Sequence, residues 1–225
     1  MVSNLEQANA KGFCNFTNSK DDVVPAFLPF FHIYGLMFVM LHILSHGAKL
    51  ITFPKFTSES FIKCLRKHRP TFIPSVPPVS RRLLFHKDNT IGAAPFSGSD
   101  VDRFHRITKG KVNLIQAYGM TESSPLSIIQ SIYLKGGVKQ GGTGVMVPNT
   151  EGRFVPIDEP NSQIGLGPHQ PGEVIHKGPS DIINLLVMKG YLNNPEATRE
   201  TISEGGWLRT GDIGYHDEGR SHIHY

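Results

Sequence analysis

Residues 116–125 read QAYGMTESSP. Four residue types with different capacities are packed closely here. A flat ring (Tyr118) can stack, and a glycine (Gly119) bares the backbone for close approach. A hydroxyl (Thr121) can donate a hydrogen bond. A carboxylate (Glu122) can accept several, or hold a hard cation. Each residue alone also has an ordinary explanation: Tyr118 as core, Glu122 as a cap on a turn or helix. What gives the stretch weight is its company. IGAAPFSGSD (91–100) is a small-residue turn after an apolar position. MKGYLNNPEAT (188–198) reads as a loop entering a helix, and GGWLRTGDIGYHDEG (205–219) sets Asp212 between glycines.

The elements that must position these stretches follow from hydrophobic pattern and breakers. Val23–Phe31 is apolar but interrupted by Pro25 and Pro29, which predicts a short strand leading to a turn. Leu36–Ser45 predicts a buried helix ended by Gly47, and Ala48–Phe53 a buried strand. Thr57 or Ser58 can cap a helix with Phe61, Ile62 and Leu65 on its apolar face, stopped by Pro70. Thr71–Val76 predicts a strand, Val101–Thr108 a helix and Val112–Ala117 another strand. The alternation predicts an α/β fold: a parallel sheet flanked by helices. QAYGMTESSP then follows a strand end, where ligands of open α/β sheets gather. Short strand-like runs after about residue 135 (152–157, 172–176, 182–187) predict a smaller β-rich subdomain. The expected division is 1–135 and 136–225.

Composition excludes several classes. With 39% hydrophobic and 19% charged residues in 225, the chain has a globular composition and can build a core. The net charge of +4 is spread, without the basic stripe and interleaved aromatics of a nucleic-acid surface. Cys14 and Cys64 offer neither a disulfide framework nor a CxxC pair, which points to a reducing compartment. The polar MVSNLEQANAKG is not a signal peptide. The apolar run Leu36–Leu44 is far short of the ~20 residues of a membrane span. GGVKQGGTG (136–144) does not fit the P-loop pattern and reads as a mobile loop. No GxSxG supports a serine hydrolase. His42 and His46, at i and i+4, lack an obvious third zinc ligand and read as core or surface residues.

Taken together and in order, these segments resemble the adenylate-forming superfamily. Within it they are similar to the branch of acyl-CoA synthetases, 4-coumarate–CoA ligases and beetle-type luciferases. LPFFHIYG (28–35) and VPNTEGR (147–153) belong to the same pattern. The resemblance implies part of the large N-terminal domain of the acyl-CoA synthetase-like fold, its β-rich subdomain a distorted barrel. It implies an AMP-forming acid–thiol ligase. Such an enzyme joins a carboxylic acid, aromatic or fatty, to AMP from ATP, releases pyrophosphate, and passes the acyl group to coenzyme A. By similarity Tyr118 stacks on adenine, and Ala93, Ala94 and Pro95 line its other side. Gly119 and Met120 lie in the same nucleotide site. Asp212 accepts from the ribose hydroxyls, Thr121 donates to the α-phosphate, and Glu122 holds Mg²⁺. His32 stands beside the acyl carboxylate. The acyl pocket draws on Phe31, His32, Gly35 and Val76 with Gly119 and Met120. Two other readings share the ancestry: a non-catalytic pseudoenzyme binding AMP or an acyl ligand, and a luciferase-like monooxygenase. The expected location is intracellular, cytoplasmic or peroxisomal.

The sequence also departs from the family pattern. The family's phosphate loop, with its lysine, lies before the segment resembling MVSNLEQ. Its C-terminal domain, with the lysine that steadies the α-phosphate, follows the Asp motif. The expectation is a partial chain that binds AMP weakly and does not adenylate alone. It would associate with the missing C-terminal domain or with a full-length relative. HKDNT bridges a gap between Arg82 and Gly92 that is longer in the family, and SDIINLLV (180–187) reads as a small insertion or an altered splice.

Overall fold

A computed structural model describes residues 2–10, 20–76, 78–79, 98–131, 141–159, 162–178, 186–218 and 223–224. The chain forms two compact units, Cys14–Gln116 and Met1–Phe13 with Ala117–Tyr225. Helix α1 (Val2–Asn9) opens the chain and belongs to the second unit.

The first unit has a parallel pair at its centre. Strand β1 (Val23–Ala26) runs beside β2 (Lys49–Thr52), with Val24 opposite Leu50 and Ala26 opposite Thr52. Between them the chain crosses over through a π-helical segment, Gly35–Leu41, and a last α-helical turn, α2 (His42–Ser45). The predicted buried helix is therefore present, ended at Gly47, whose φ of +70° suits glycine. Its apolar residues face the pair: Ile43 packs with Val24 and Ala48, and Val39 with Ala26 and Leu28. Helix α3 (Ser58–His68) starts at Thr57. The Thr57 hydroxyl accepts from the Ser60 backbone N–H at 3.1 Å, and the Ser60 hydroxyl accepts from the Thr57 N–H at 3.1 Å. Phe61 of α3 is fully buried among Phe27, Phe53 and Phe56. Burial of one such ring is worth about 1.5–3 kcal/mol. Helix α4 (Gly98–Thr108) buries Val101 and Phe104 against Leu114.

Two predicted strands of this region are not strands. Residues 71–76 are not part of a strand; Thr71 donates its backbone N–H to the Val23 carbonyl at 3.0 Å. The predicted strand Val112–Ala117 pairs only from Ala117 onward. Both runs are rich in β-branched and other apolar residues, but a strand also needs a partner backbone.

The second unit is antiparallel. Strands β3 (Ala117–Gly119), β4 (Leu126–Ile129) and β5 (Val145–Met146) form one sheet in the order β3-β4-β5. Strands β6 (Glu151–Val155), β7 (Gly172–Lys177), β8 (Leu208–His216) and β9 (Ile223–His224) form another in chain order. Helix α5 (Pro195–Thr201) precedes β8. Ile128 of β4, Phe154 of β6 and Val174 of β7 make a buried cluster. In α1, Asn4 pairs with β4 as a neighbouring backbone would: its side-chain amide donates to the Leu126 carbonyl at 2.8 Å and accepts from the Leu126 N–H at 3.0 Å. The architecture is thus mixed α/β with one parallel pair and two antiparallel sheets, and no closed barrel is formed among the described residues.

Part of the glycine-rich stretch is not an open loop. Gly142, Thr143 and Gly144 are buried, and the Gly142 carbonyl accepts from the Gln130 side chain at 2.6 Å. A Cβ on Gly144 would overlap the Ile129 backbone, so this glycine is a close-approach residue at β4. The predicted strand at 182–187 lies outside the described residues except for Leu186 and Val187, which are buried in a bend. No helix among the described residues is long and apolar enough to cross a membrane.

Candidate functional site

Strand β3 delivers Tyr118, whose half-buried ring packs against the Ile128–Phe154–Val174 cluster. Its hydroxyl donates to the Asp212 Oδ2 at 2.6 Å. Two of the singled-out motifs, far apart in sequence, therefore meet. Asp212 itself is exposed and sits next to Gly211, whose φ is +74°. The bulge of β8 that carries it is held from β7. The buried Glu173 carboxylate accepts from the Gly211 N–H at 3.0 Å with one oxygen, and from the Arg209 guanidinium at 3.0 Å with the other. The Thr210 hydroxyl donates to the Val174 carbonyl at 2.7 Å and accepts from the Asp212 N–H at 3.1 Å. A carboxylate held on a braced bulge and exposed to solvent is suited to accept from a ligand's hydroxyls.

After β3 the chain turns through a single 3₁₀ turn, Thr121–Ser123. Ser123 is buried and fixes this turn: its hydroxyl accepts from the Met120 N–H at 3.2 Å and donates to the Pro125 carbonyl at 2.7 Å. A Cβ on Gly119 would overlap that same Pro125 carbonyl. Thr121 is left exposed and Glu122 half-exposed. Glu122 is gripped twice by the 188–198 segment. Its carbonyl accepts from the Met188 N–H at 2.7 Å, and its Oε1 accepts from the Tyr191 hydroxyl at 2.8 Å. The Glu122 carboxylate, which accepts that proton, is the chief cause that pushes the Tyr191 phenol above its ordinary range.

The first unit carries the other predicted residues. His32 is exposed in the turn before the π-helical segment, with its Nδ1 accepting from the Tyr34 N–H at 3.2 Å. Phe31 beside it is almost wholly exposed, at 95%. Gly35 is buried where a Cβ would overlap the Pro29 carbonyl, and Val76 packs with Ala26, Leu28 and Val39. Burial raises the Tyr34 phenol well above its usual range. Ala93, Ala94 and Pro95 lie outside the described residues. His42, one of the i, i+4 pair, is fully buried with its ring 6.0 Å from Phe38 and 4.6 Å from His46.

The profile of the AMP-binding enzyme family matches residues 1–192. The chain belongs to that family. Among curated proteins, it is 38% identical over 217 residues to 4-coumarate–CoA ligase 3 of Oryza sativa subsp. japonica, covering 91% of this chain and 37% of that one. It is 36% identical over 215 residues to the probable 4-coumarate–CoA ligase 1 of Dictyostelium discoideum, covering 90% of this chain and 36% of that one. Among solved structures, ATP-bound MatB from Rhodopseudomonas palustris matches with a TM-score of 0.80 at 26% identity. That match covers 99% of this chain and 42% of MatB. The chain thus spans little more than a third of the length of these two curated relatives.

In this member of the AMP-binding enzyme family the chemistry of Glu122 suits one kind of cation. Among the described residues no three His, Cys, Asp or Glu side chains gather to hold a metal. Glu122 offers a single carboxylate whose Oε2 has no partner among the described residues. That suits Mg²⁺, which takes one or two carboxylates and completes its shell with water and phosphate oxygens. It does not suit a structural zinc site, which needs four protein ligands. Sequence reasoning quoted the segments holding Tyr191 and Arg209 but gave neither residue a role, and it did not single out Glu173. The one available signal was Glu173 itself, a charge inside the otherwise apolar run GEVI.

Proposed function

We propose that this chain is the nucleotide- and acyl-binding portion of an AMP-forming acid–thiol ligase. The observation that carries the reading is the Tyr118–Asp212 hydrogen bond, which puts an aromatic face and a ribose-type acceptor side by side from two neighbouring sheets of the second unit. In the proposed reaction a carboxylate oxygen attacks the α-phosphorus of ATP, and the bond to the leaving pyrophosphate breaks. A thiol, coenzyme A, then gives up its proton and attacks the acyl carbonyl, and AMP leaves. Tyr118 stacks on the adenine and Gly119 and Met120 admit it to the backbone; Asp212 accepts from the ribose hydroxyls. Thr121 donates to the α-phosphate, where charge builds as pyrophosphate departs. Glu122 would hold Mg²⁺, which when bound would neutralise phosphate charge. Within the first unit, His32 serves the acyl carboxylate, and Phe31, Gly35 and Val76 the acyl chain. The names of the curated relatives favour an aromatic acid over a fatty acid.

The test is AMP binding by the 225-residue chain, read by the fluorescence of Trp207, the only tryptophan. Its ring lies 4.0 Å from the Arg153 guanidinium, on the segment that leads into β8 and Asp212. Saturable binding that weakens roughly tenfold or more in both Tyr118→Ala and Asp212→Ala supports the reading. Binding that ignores both substitutions sinks it. In the complete protein, carboxylate-dependent exchange of pyrophosphate into ATP tests the adenylation step.

A further inference from the structure

The 188–198 segment is built as a brace on one residue, Glu122. The Met188 N–H donates to the Glu122 carbonyl, and the Tyr191 hydroxyl donates to the Glu122 Oε1. The brace is itself fixed from α5. The Thr198 hydroxyl accepts from the Tyr191 N–H at 2.9 Å and donates to the Asn194 carbonyl at 2.9 Å. The Asn194 side chain caps α5 by accepting from the Ala197 N–H at 3.1 Å, with Pro195 at the first helical position. Gly190, at φ +146°, lies where a Cβ would come within 2.8 Å of the Thr198 side chain, so it lets the turn close. Tyr191 is 37% exposed and is absent from the hydrophobic clusters described, so core packing does not account for its position.

We propose that Tyr191 is a positioning residue for Glu122, holding Oε1 so that Oε2 is presented to the nucleotide-bound divalent cation. The inference rests on the reading of Glu122 as the cation ligand. A glutamate side chain has three rotatable torsions, and a free one spends binding energy on ordering when a cation arrives. One donor on Oε1 removes much of that cost and leaves the other oxygen for the cation, as outer partners of metal-binding carboxylates do. The tyrosine acts through the glutamate and touches neither phosphate nor cation.

The experiment is a set of binding titrations on the 225-residue chain and its variants Tyr191→Phe, Glu122→Gln and the double variant. ATP is titrated with and without Mg²⁺, and AMP without Mg²⁺. The quantity read is the gain in ATP affinity on adding Mg²⁺. In the unaltered chain Mg²⁺ tightens ATP binding, and Glu122→Gln removes that gain. Tyr191→Phe cuts the gain roughly three- to tenfold while Mg²⁺-free AMP binding stays unchanged. The double variant loses no more than Glu122→Gln alone, the signature of two residues acting as one unit. A gain that persists in Tyr191→Phe but vanishes in Glu122→Gln overturns the role of Tyr191 and leaves the glutamate reading intact. Absence of any Mg²⁺ gain in the unaltered chain, or its survival in Glu122→Gln, overturns the glutamate reading and this inference with it. A Tyr191→Phe variant that loses AMP affinity and thermal stability together shows a merely structural tyrosine, which also overturns the proposal.

Discussion

The Tyr118 hydroxyl donates to the Asp212 carboxylate at 2.6 Å, joining β3 to β8 across 94 residues of sequence. A charge-assisted bond of this length is about twice as strong as a neutral one. It orients Asp212 without burying it, because the carboxylate remains exposed. The ring proposed to stack on adenine and the carboxylate proposed to accept from the ribose are thereby fixed in relation to each other. Preorganisation of this kind lowers the ordering cost of binding.

Tyr118→Phe therefore separates the two roles proposed for the tyrosine. The ring is kept and the bond to Asp212 is lost. AMP affinity falls by roughly three- to tenfold, less than in Tyr118→Ala, which also removes the stacking face. Titration of AMP against the three forms, followed by Trp207 fluorescence, measures the ordering. Equal losses in Tyr118→Phe and Tyr118→Ala would assign the whole effect to the hydroxyl.

Glu173 is the support beneath Asp212. Its carboxylate is 6% exposed and satisfies both the Gly211 N–H and the Arg209 guanidinium. Glu173→Ala leaves a guanidinium and a backbone donor without their acceptor. Removing one member of a buried pair costs about 3–5 kcal/mol, and the partial exposure of Arg209 reduces this to roughly 2–3 kcal/mol. Urea denaturation of Glu173→Ala is expected to show that loss, and Glu173→Gln a smaller one. AMP affinity should fall in both, since the bulge at Gly211–Asp212 loses its anchor.

What the sequence reveals and conceals here divides along physical lines. The crossover from β1 to β2 was legible because an apolar run, a glycine and a second apolar run each have a local signal. The Thr57 cap and the Asn194–Pro195 helix start were equally local. Residues 71–76 and 112–116 read as strands on pattern alone. Pairing depends on a distant backbone that the pattern does not report. The candidate site was legible as motifs, and its joints were not. Tyr191 meets Glu122 across 69 residues, and a loop tyrosine carries no mark of such a partner. The glycines of 141–144 looked like a loop because their value lies in what they lack: Gly144 is needed where the chain touches the Ile129 backbone.

Gly119 and Gly35 are glycines for the same reason, in the two different units. A Cβ at Gly119 would overlap the Pro125 carbonyl, and one at Gly35 the Pro29 carbonyl. Both obstacles are backbone, so neither can swing aside. Gly119→Ala and Gly35→Ala are expected to destabilise the protein by about 1–3 kcal/mol each, the usual cost of overpacking. Gly110→Ala is the control for space, since nothing lies within 4 Å of its Cβ position, though its φ of +67° adds backbone strain. Gly35 and Gly119 do not have positive φ, so thermal melts separate the two causes: a fall in Gly35→Ala and Gly119→Ala reports overlap, a fall in Gly110→Ala reports strain, and unchanged melts for Gly35→Ala and Gly119→Ala would refute the overlap.

Stability should also fall in mild acid, and two histidines set the window. Burial lowers His176 to about 4, and burial with the neighbouring His46 lowers His42 to about 4. Both have an unfolded value near 6.5, so between pH 6.5 and 4 the unfolded chain binds protons that the folded chain refuses. Stability from the neutral imidazoles is complete above pH 6.5, declines as the pH falls toward 4, and loses nothing further below it. A difference of about 2.5 units corresponds to roughly 3 kcal/mol per histidine at the acid end. His176 accepts or donates to the Ser127 hydroxyl at 3.3 Å in a fully buried setting, so His176→Gln keeps a polar partner there while removing the titration. Melting temperatures recorded from pH 7.5 to 4.5 should fall steeply for the unaltered chain and less steeply for His176→Gln. Parallel curves would show that His176 is protonated at little cost, and that its burial does not govern the acid limb.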